Sequence, residues 1–67
     1  MIYKAIDKEK KIQLVIEDAG KGMGYYLYVF NLNTNTSIAD HLCDDLQQAF
    51  YVAKEDYGIS DIQFKKY

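Results

Sequence analysis

Tyr25-Tyr26-Leu27-Tyr28-Val29-Phe30 is an unbroken run of aromatic, aliphatic and β-branched residues. Such side chains fit a pleated surface, and a six-residue run has the length of a strand rather than a helix. Alternation sets Tyr25, Leu27 and Val29 on one face and Tyr26, Tyr28 and Phe30 on the other. Because both faces are apolar, the run reads as a central strand covered at least partly on both sides. It is also the longest apolar run in the chain and is far too short to span a bilayer.

Upstream, Asp18 to Gly24 holds three glycines in seven residues and reads as a reversal. Before it, Ile12, Leu14 and Ile16 alternate with Gln13, Val15 and Glu17, the period-2 pattern of a half-buried strand. A further strand, Ile2-Tyr3-Lys4-Ala5-Ile6, is joined to this one by the charged turn Asp7-Lys8-Glu9-Lys10-Lys11, so a hairpin is expected. Downstream, Asn31-Leu32-Asn33-Thr34-Asn35 reads as a turn, since asparagine tolerates positive φ and bonds its own backbone. A short fourth strand is expected at Thr36 to Asp40.

The helix follows. Asp44 is the expected N-cap, with Gln47 three residues on as a capping-box partner. Leu46, Ala49, Phe50, Ala53 and Tyr57 fall on one stripe, and Gln48, Tyr51 and Glu55 project from the other side. Gly58 is the expected left-handed terminator. The two alanines would let the helix sit close to the sheet. Ile62-Gln63-Phe64 in the tail is a candidate final strand. The fold class that results is α+β: an antiparallel meander of three to four strands, one helix from the C-terminal half packed on one face, and a short terminal strand.

The 67 residues are read as a single α+β domain, 1–67. One cysteine, Cys43, cannot form an internal disulfide, and with a lone His41 it supplies too few ligands for a structural zinc site. Seven tyrosines and three phenylalanines must therefore carry much of the packing. The net charge is −2, with acidic and basic residues interspersed, so there is no basic field to hold nucleic acid. The amino terminus lacks signal-peptide organisation, and a free thiol fits a reducing compartment, so the cytoplasm is the expected location.

Three stretches could carry chemistry. Gly20-Lys21-Gly22-Met23-Gly24 has the composition of a phosphate loop, but a Walker loop needs Gly-Lys-Ser/Thr and a following helix. Between two strands it reads as a hairpin loop. Asp40-His41-Leu42-Cys43-Asp44-Asp45 gathers the only histidine and cysteine beside three carboxylates, which suggests a nucleophile and base or a divalent metal. Residues at i and i+2 are expected seldom to face each other, and the sequence shows no group to orient the imidazole, so neither role is assigned. The tyrosine strand is the third. Aromatics on a sheet can stack bases, but such platforms lie in basic grooves, which this chain lacks. An interaction surface of Tyr26, Tyr28 and Phe30, with Tyr51 on the helix, is the remaining candidate, because tyrosine is enriched in binding hot spots. Those aromatics would either be shielded by the tail or form an exposed patch. Asn35-Thr36-Ser37 matches a glycosylation sequon, to which nothing is assigned without an export signal.

Ile38-Ala39-Asp40-His41-Leu42 with Asp45-Leu46, then Ala49, Ala53 and Glu55-Asp56-Tyr57-Gly58-Ile59, resembles small uncharacterised bacterial proteins of α+β fold. In these a tyrosine-rich strand precedes a helix ending in a Tyr-Gly-Ile-like cap. The resemblance covers about the last two-thirds of the chain, at positions that are mostly structural in kind. Some such proteins are similar to immunity proteins, which neutralise a toxin by occluding its active site. The resemblance implies the α+β fold and carries over no catalytic residue. The function expected is a small non-catalytic protein-binding module, in its sharpest form an immunity-like or regulatory inhibitor. The alternative is a homo-oligomeric structural or housekeeping protein. Neither cofactor nor metal is expected, and the expected partner is a protein or a second copy, not nucleic acid, membrane or a small molecule.

Overall fold

The structure, a computed structural model, describes residues 2–67. Its elements run β1 (Ile2–Asp7), β2 (Ile12–Asp18), β3 (Tyr25–Asn31), β4 (Ser37–Cys43), α1 (Leu46–Tyr57), a 3-10 turn (Asp61–Gln63) and β5 (Lys65–Lys66). All strand pairs are antiparallel, in the order β4-β3-β2-β1-β5. The first four strands form a meander, and α1 carries the chain from the β4 edge to the β1 edge, where β5 adds the fifth strand. This is the α+β class expected: a meander, one helix on one face and a short terminal strand.

Local chemistry closes each turn. Asp7 Oδ1 accepts the Lys10 N–H at 2.9 Å, and the Lys10 ammonium reaches Asp7 Oδ2 at 3.2 Å. The Asn31 side-chain oxygen accepts the N–H groups of Asn33 and Thr34 at 2.9 and 3.2 Å, and Asn35 takes the left-handed conformation with φ 58°. At the glycine loop Asp18 Oδ1 accepts the Gly20 N–H at 2.8 Å.

The core lies between one sheet face and α1. Ala5, Leu14, Ile16, Leu27, Val29 and Cys43 point at Ala49 and Ala53 of the helix and at Ile59 just beyond it, all with 2% exposure or less. Burying each large aliphatic residue in that set contributes about 1.5–3 kcal/mol. Alanine at the helix contact brings the backbone close to the sheet. Phe50 fills the flank, with Tyr3 and Phe64 edge-on to it at centroid distances of 5.5 and 5.2 Å. Gly58 ends the helix at φ 68°, donating to Lys54, while the Ile59 N–H reaches the Ala53 carbonyl.

Four local expectations are corrected. The fourth strand does not stop at Asp40 but runs to Cys43, because β3 is seven residues long and its Tyr25–Leu27 backbone needs partners on that side. The helix consequently begins one residue later. Asp45, not Asp44, is the N-cap, its side chain accepting the Gln48 N–H at 2.7 Å, and Gln48 in place of Gln47 reaches back to the Asp44 N–H at 2.8 Å. Ile62-Gln63-Phe64 is not strand. Gln63 Oε1 accepts the Ser60 N–H and the Phe64 N–H donates to the Asp61 carbonyl, a turn that delays pairing until Lys65. Finally, α1 packs on the Tyr25, Leu27, Val29 face of β3 alone, and among the described residues no element lies over the Tyr26, Tyr28, Phe30 face.

Candidate functional site

Pairing register decides which side chains share a face. Leu27 and Val29 of β3 point into the core, so Tyr26, Tyr28 and Phe30 lie on the face away from α1. Three cross-strand rows make up that face. One runs Ile2, Glu17, Tyr26, Leu42; the next Lys4, Val15, Tyr28, Asp40; the third Ile6, Gln13, Phe30, Ser37. A bulge opposite Val29 and Phe30 adds Ile38 beside Ser37.

Among the described residues no element covers this face. α1 packs on the other side and β5 extends the sheet edge instead of folding beneath it. The aromatic side chains partly cover one another instead: Tyr26 stacks on Tyr28 at 5.6 Å between centroids, and Phe30 leans on Tyr28 at 6.2 Å. Large apolar groups remain in water, with Ile6 52%, Ile38 54%, Leu42 64% and Tyr26 37% exposed. Partial burial pushes the Tyr28 phenol up from its usual value, and Glu17, Tyr26 and Asp40 add to the shift. Glu17 on β2 and Asp40 on β4 thus place a carboxylate on either side of the β3 aromatics. At the opposite edge Lys4 and Lys65 pair, and the Lys4 ammonium sits over the Tyr67 ring at 5.1 Å. A shallow cavity of about 410 Å³ there is lined by Lys4, Ile6, Gln13, Gln63, Lys65 and Tyr67.

Tyr51 does not join this surface. It is 63% exposed on the outer side of α1, beside Gln47, Phe50, Lys54 and Asp61, with the whole sheet between it and Tyr28. The sequence reading grouped four residues, and the structure brings three together. It also missed Ile6, Ile38 and Leu42, whose placement on the open face follows only from the register.

The His41–Cys43 stretch is arranged differently from expectation. On a strand, residues two apart share a face, so both point towards α1. The imidazole does have an orienting partner: His41 Nε2 lies 2.8 Å from the Tyr57 hydroxyl, the rings edge-on at 5.8 Å. This contact fastens the β4 edge to the end of the helix. Cys43 is buried at 2% exposure, and burial pushes its thiol up from the usual value, with Asp44 and Asp45 adding to the shift. A nucleophilic cysteine needs the opposite shift and access to solvent.

The glycine loop borders a depression lined by Asp18, Asp44 and Asp45. Its N–H groups are partly spent, Gly20 on Asp18, Met23 on the Gly20 carbonyl and Ala19 on the Gly24 carbonyl. Three carboxylates around it repel a phosphate. Among the described residues no three His, Cys, Asp or Glu side chains converge to hold a metal ion, and no helix is long and apolar enough to cross a membrane. Comparison with protein-family models, with curated proteins and with solved structures finds no match for this chain.

Proposed function

We propose that this chain is a small non-catalytic protein-binding module that works through the open face of its sheet. The observation carrying this reading is an uncovered face with a stacked aromatic ladder at its centre and Ile6, Ile38 and Leu42 exposed around it. Leaving such a patch in water is unfavourable, and on a domain this small it marks a contact surface. Tyrosine adds area at low conformational cost, and the flanking charges give a partner orientation. The inaccessible, proton-holding thiol and the hydroxyl-bonded imidazole offer no activated nucleophile.

An immunity-like or regulatory inhibitor is the sharpest form of this reading and rests on the resemblance of the Ile38–Ile59 region. Self-association, the second reading, is favoured by the charge pattern of the open face. The test is capture by the tagged chain from its native cell, together with sedimentation of the purified chain. Tyr28→Lys and Leu42→Glu, each checked for a native circular dichroism spectrum, should both abolish binding of whichever partner is found. Undiminished binding by both folded variants overturns the assignment of this face.

A further inference from the structure

The open face is patterned to fit itself. Its outer strand β4 presents Ile38, Asp40 and Leu42, and its strand β1 presents Ile6, Lys4 and Ile2 in the same rows. Each is aliphatic, charged, aliphatic, and the two charges are opposite. Between them lie β3, with Tyr28 at its centre, and β2, with Val15.

We propose that the occupant of this face is a second copy of the chain, packed face to face about a two-fold axis parallel to the strands and lying between β2 and β3. This rests on the reading that the open face is a contact surface. Rotation about that axis lays β4 over β1 of the second copy and β3 over its β2. Asp40 then meets Lys4 of the second copy, Leu42 meets Ile2, Ile38 meets Ile6, and Tyr28 meets Val15. Glu17 falls opposite the Tyr26 hydroxyl. A two-fold axis perpendicular to the strands would instead leave β4 over β4 and place like charges together. Charge complementarity therefore selects the first arrangement.

The geometry fits known sheet packing. Two sheets stack about 10 Å apart with strands within about 30° of one another. Four strands about 4.8 Å apart and seven residues long at about 3.3 Å each make a face of roughly 440 Å² before side-chain relief is counted. Two such faces bury an area close to the roughly 1,000 Å² at which specific interfaces begin. Within one copy Lys4 and Asp40 stand three strands apart, about 14 Å, so they cannot pair with each other.

That separation supplies the test. Sedimentation equilibrium of the full chain from micromolar to millimolar concentration should show a reversible monomer–dimer equilibrium. Lys4→Glu and Asp40→Lys should each weaken it by about tenfold or more, because each sets like charges opposite one another at both ends of the interface. An equimolar mixture of the two variants should restore association to about the native level, since every cross-pair in the heterodimer is again opposite in charge. Leu42→Glu, at a position 64% exposed, should weaken it without unfolding the chain. A native chain that stays monomeric to millimolar concentration overturns the second copy as occupant. So does a dimer that both charge variants leave intact. If the native chain is monomeric while Tyr28→Lys abolishes capture of a different protein, the contact surface stands and only its occupant is wrong. If Tyr28→Lys changes nothing in either assay, the surface itself falls.

Discussion

At position 24 the backbone has φ 89°, and a Cβ built there would fall on the carbonyl oxygen of Cys43. The glycine loop matters through this contact, where the start of β3 passes the end of β4, and not through any anion. Gly22, two residues earlier, has φ 74° but meets nothing within 4 Å. The two positions therefore separate conformational strain from close approach. Gly22→Ala should cost about 1–2 kcal/mol, the left-handed penalty alone. Gly24→Ala adds displacement of the Cys43 backbone and should cost about 3 kcal/mol or more. Urea midpoints of the two variants check this; equal losses would show that the β4 end yields freely.

One carboxylate, Asp7, closes the β1–β2 turn. The Lys10 N–H, then its ammonium, hold the Asp7 carboxyl below its ordinary value of 3.8. A lowered folded-state value means that the unfolded chain binds the proton more readily. The contribution of Asp7 is thus fully present above pH 3.8 and is lost as pH falls through the lower folded value. Asp7→Asn should flatten the acid limb of stability below that point, measured as urea midpoints between about pH 5 and 2 against the native chain. The same hairpin contains Lys11 in the left-handed region with φ 59°, which the lysine-rich turn did not announce. At the helix, an offset of one residue in the N-cap followed from a strand that ends three residues later than expected.

Across the whole molecule, Cys43 reports on the integrity of the core. Its thiol is raised above the ordinary value of 9.0 by burial first, then by Asp44 and Asp45. Tyr57 is raised above 10.0 by burial and then Asp56. For both, the folded state keeps the proton longer than the unfolded state, so stability is full below the unfolded values and declines as pH rises past 9.0 and then 10.0. Native protein at pH 8 should resist iodoacetamide and become labelled only with unfolding in urea. The urea midpoint should fall between pH 8 and pH 10, and Cys43→Ala should delay the onset of that fall. Rapid labelling of the folded chain would mean the β4–α1 seam opens.

The sequence alone determined the type and order of the elements from β1 to α1, though not the 3-10 turn that stands where the tail was expected to be strand. Alternation in Ile12–Glu17, the aromatic run Tyr25–Phe30 and the stripe Leu46, Ala49, Phe50, Ala53, Tyr57 are local periodicities, and local periodicity needs no knowledge of neighbours. Gly58 as terminator and a turn at Asn31–Asn35 were legible for the same reason, backbone preference of single residues, but which of the three asparagines takes positive φ, Asn35, was not. Tertiary structure alone decided which face of β3 meets the helix, since both faces are apolar and either would serve. It also decided where β4 ends, through the unpaired backbone of Tyr25 to Leu27, and it gave His41 a partner sixteen residues away in Tyr57. Above all it assembled the open face, where Lys4, Tyr28 and Asp40 come into one row from three strands distant in the chain. Register is a relation between strands, set by turn geometry and by which side must be buried, so no single stretch of sequence contains it.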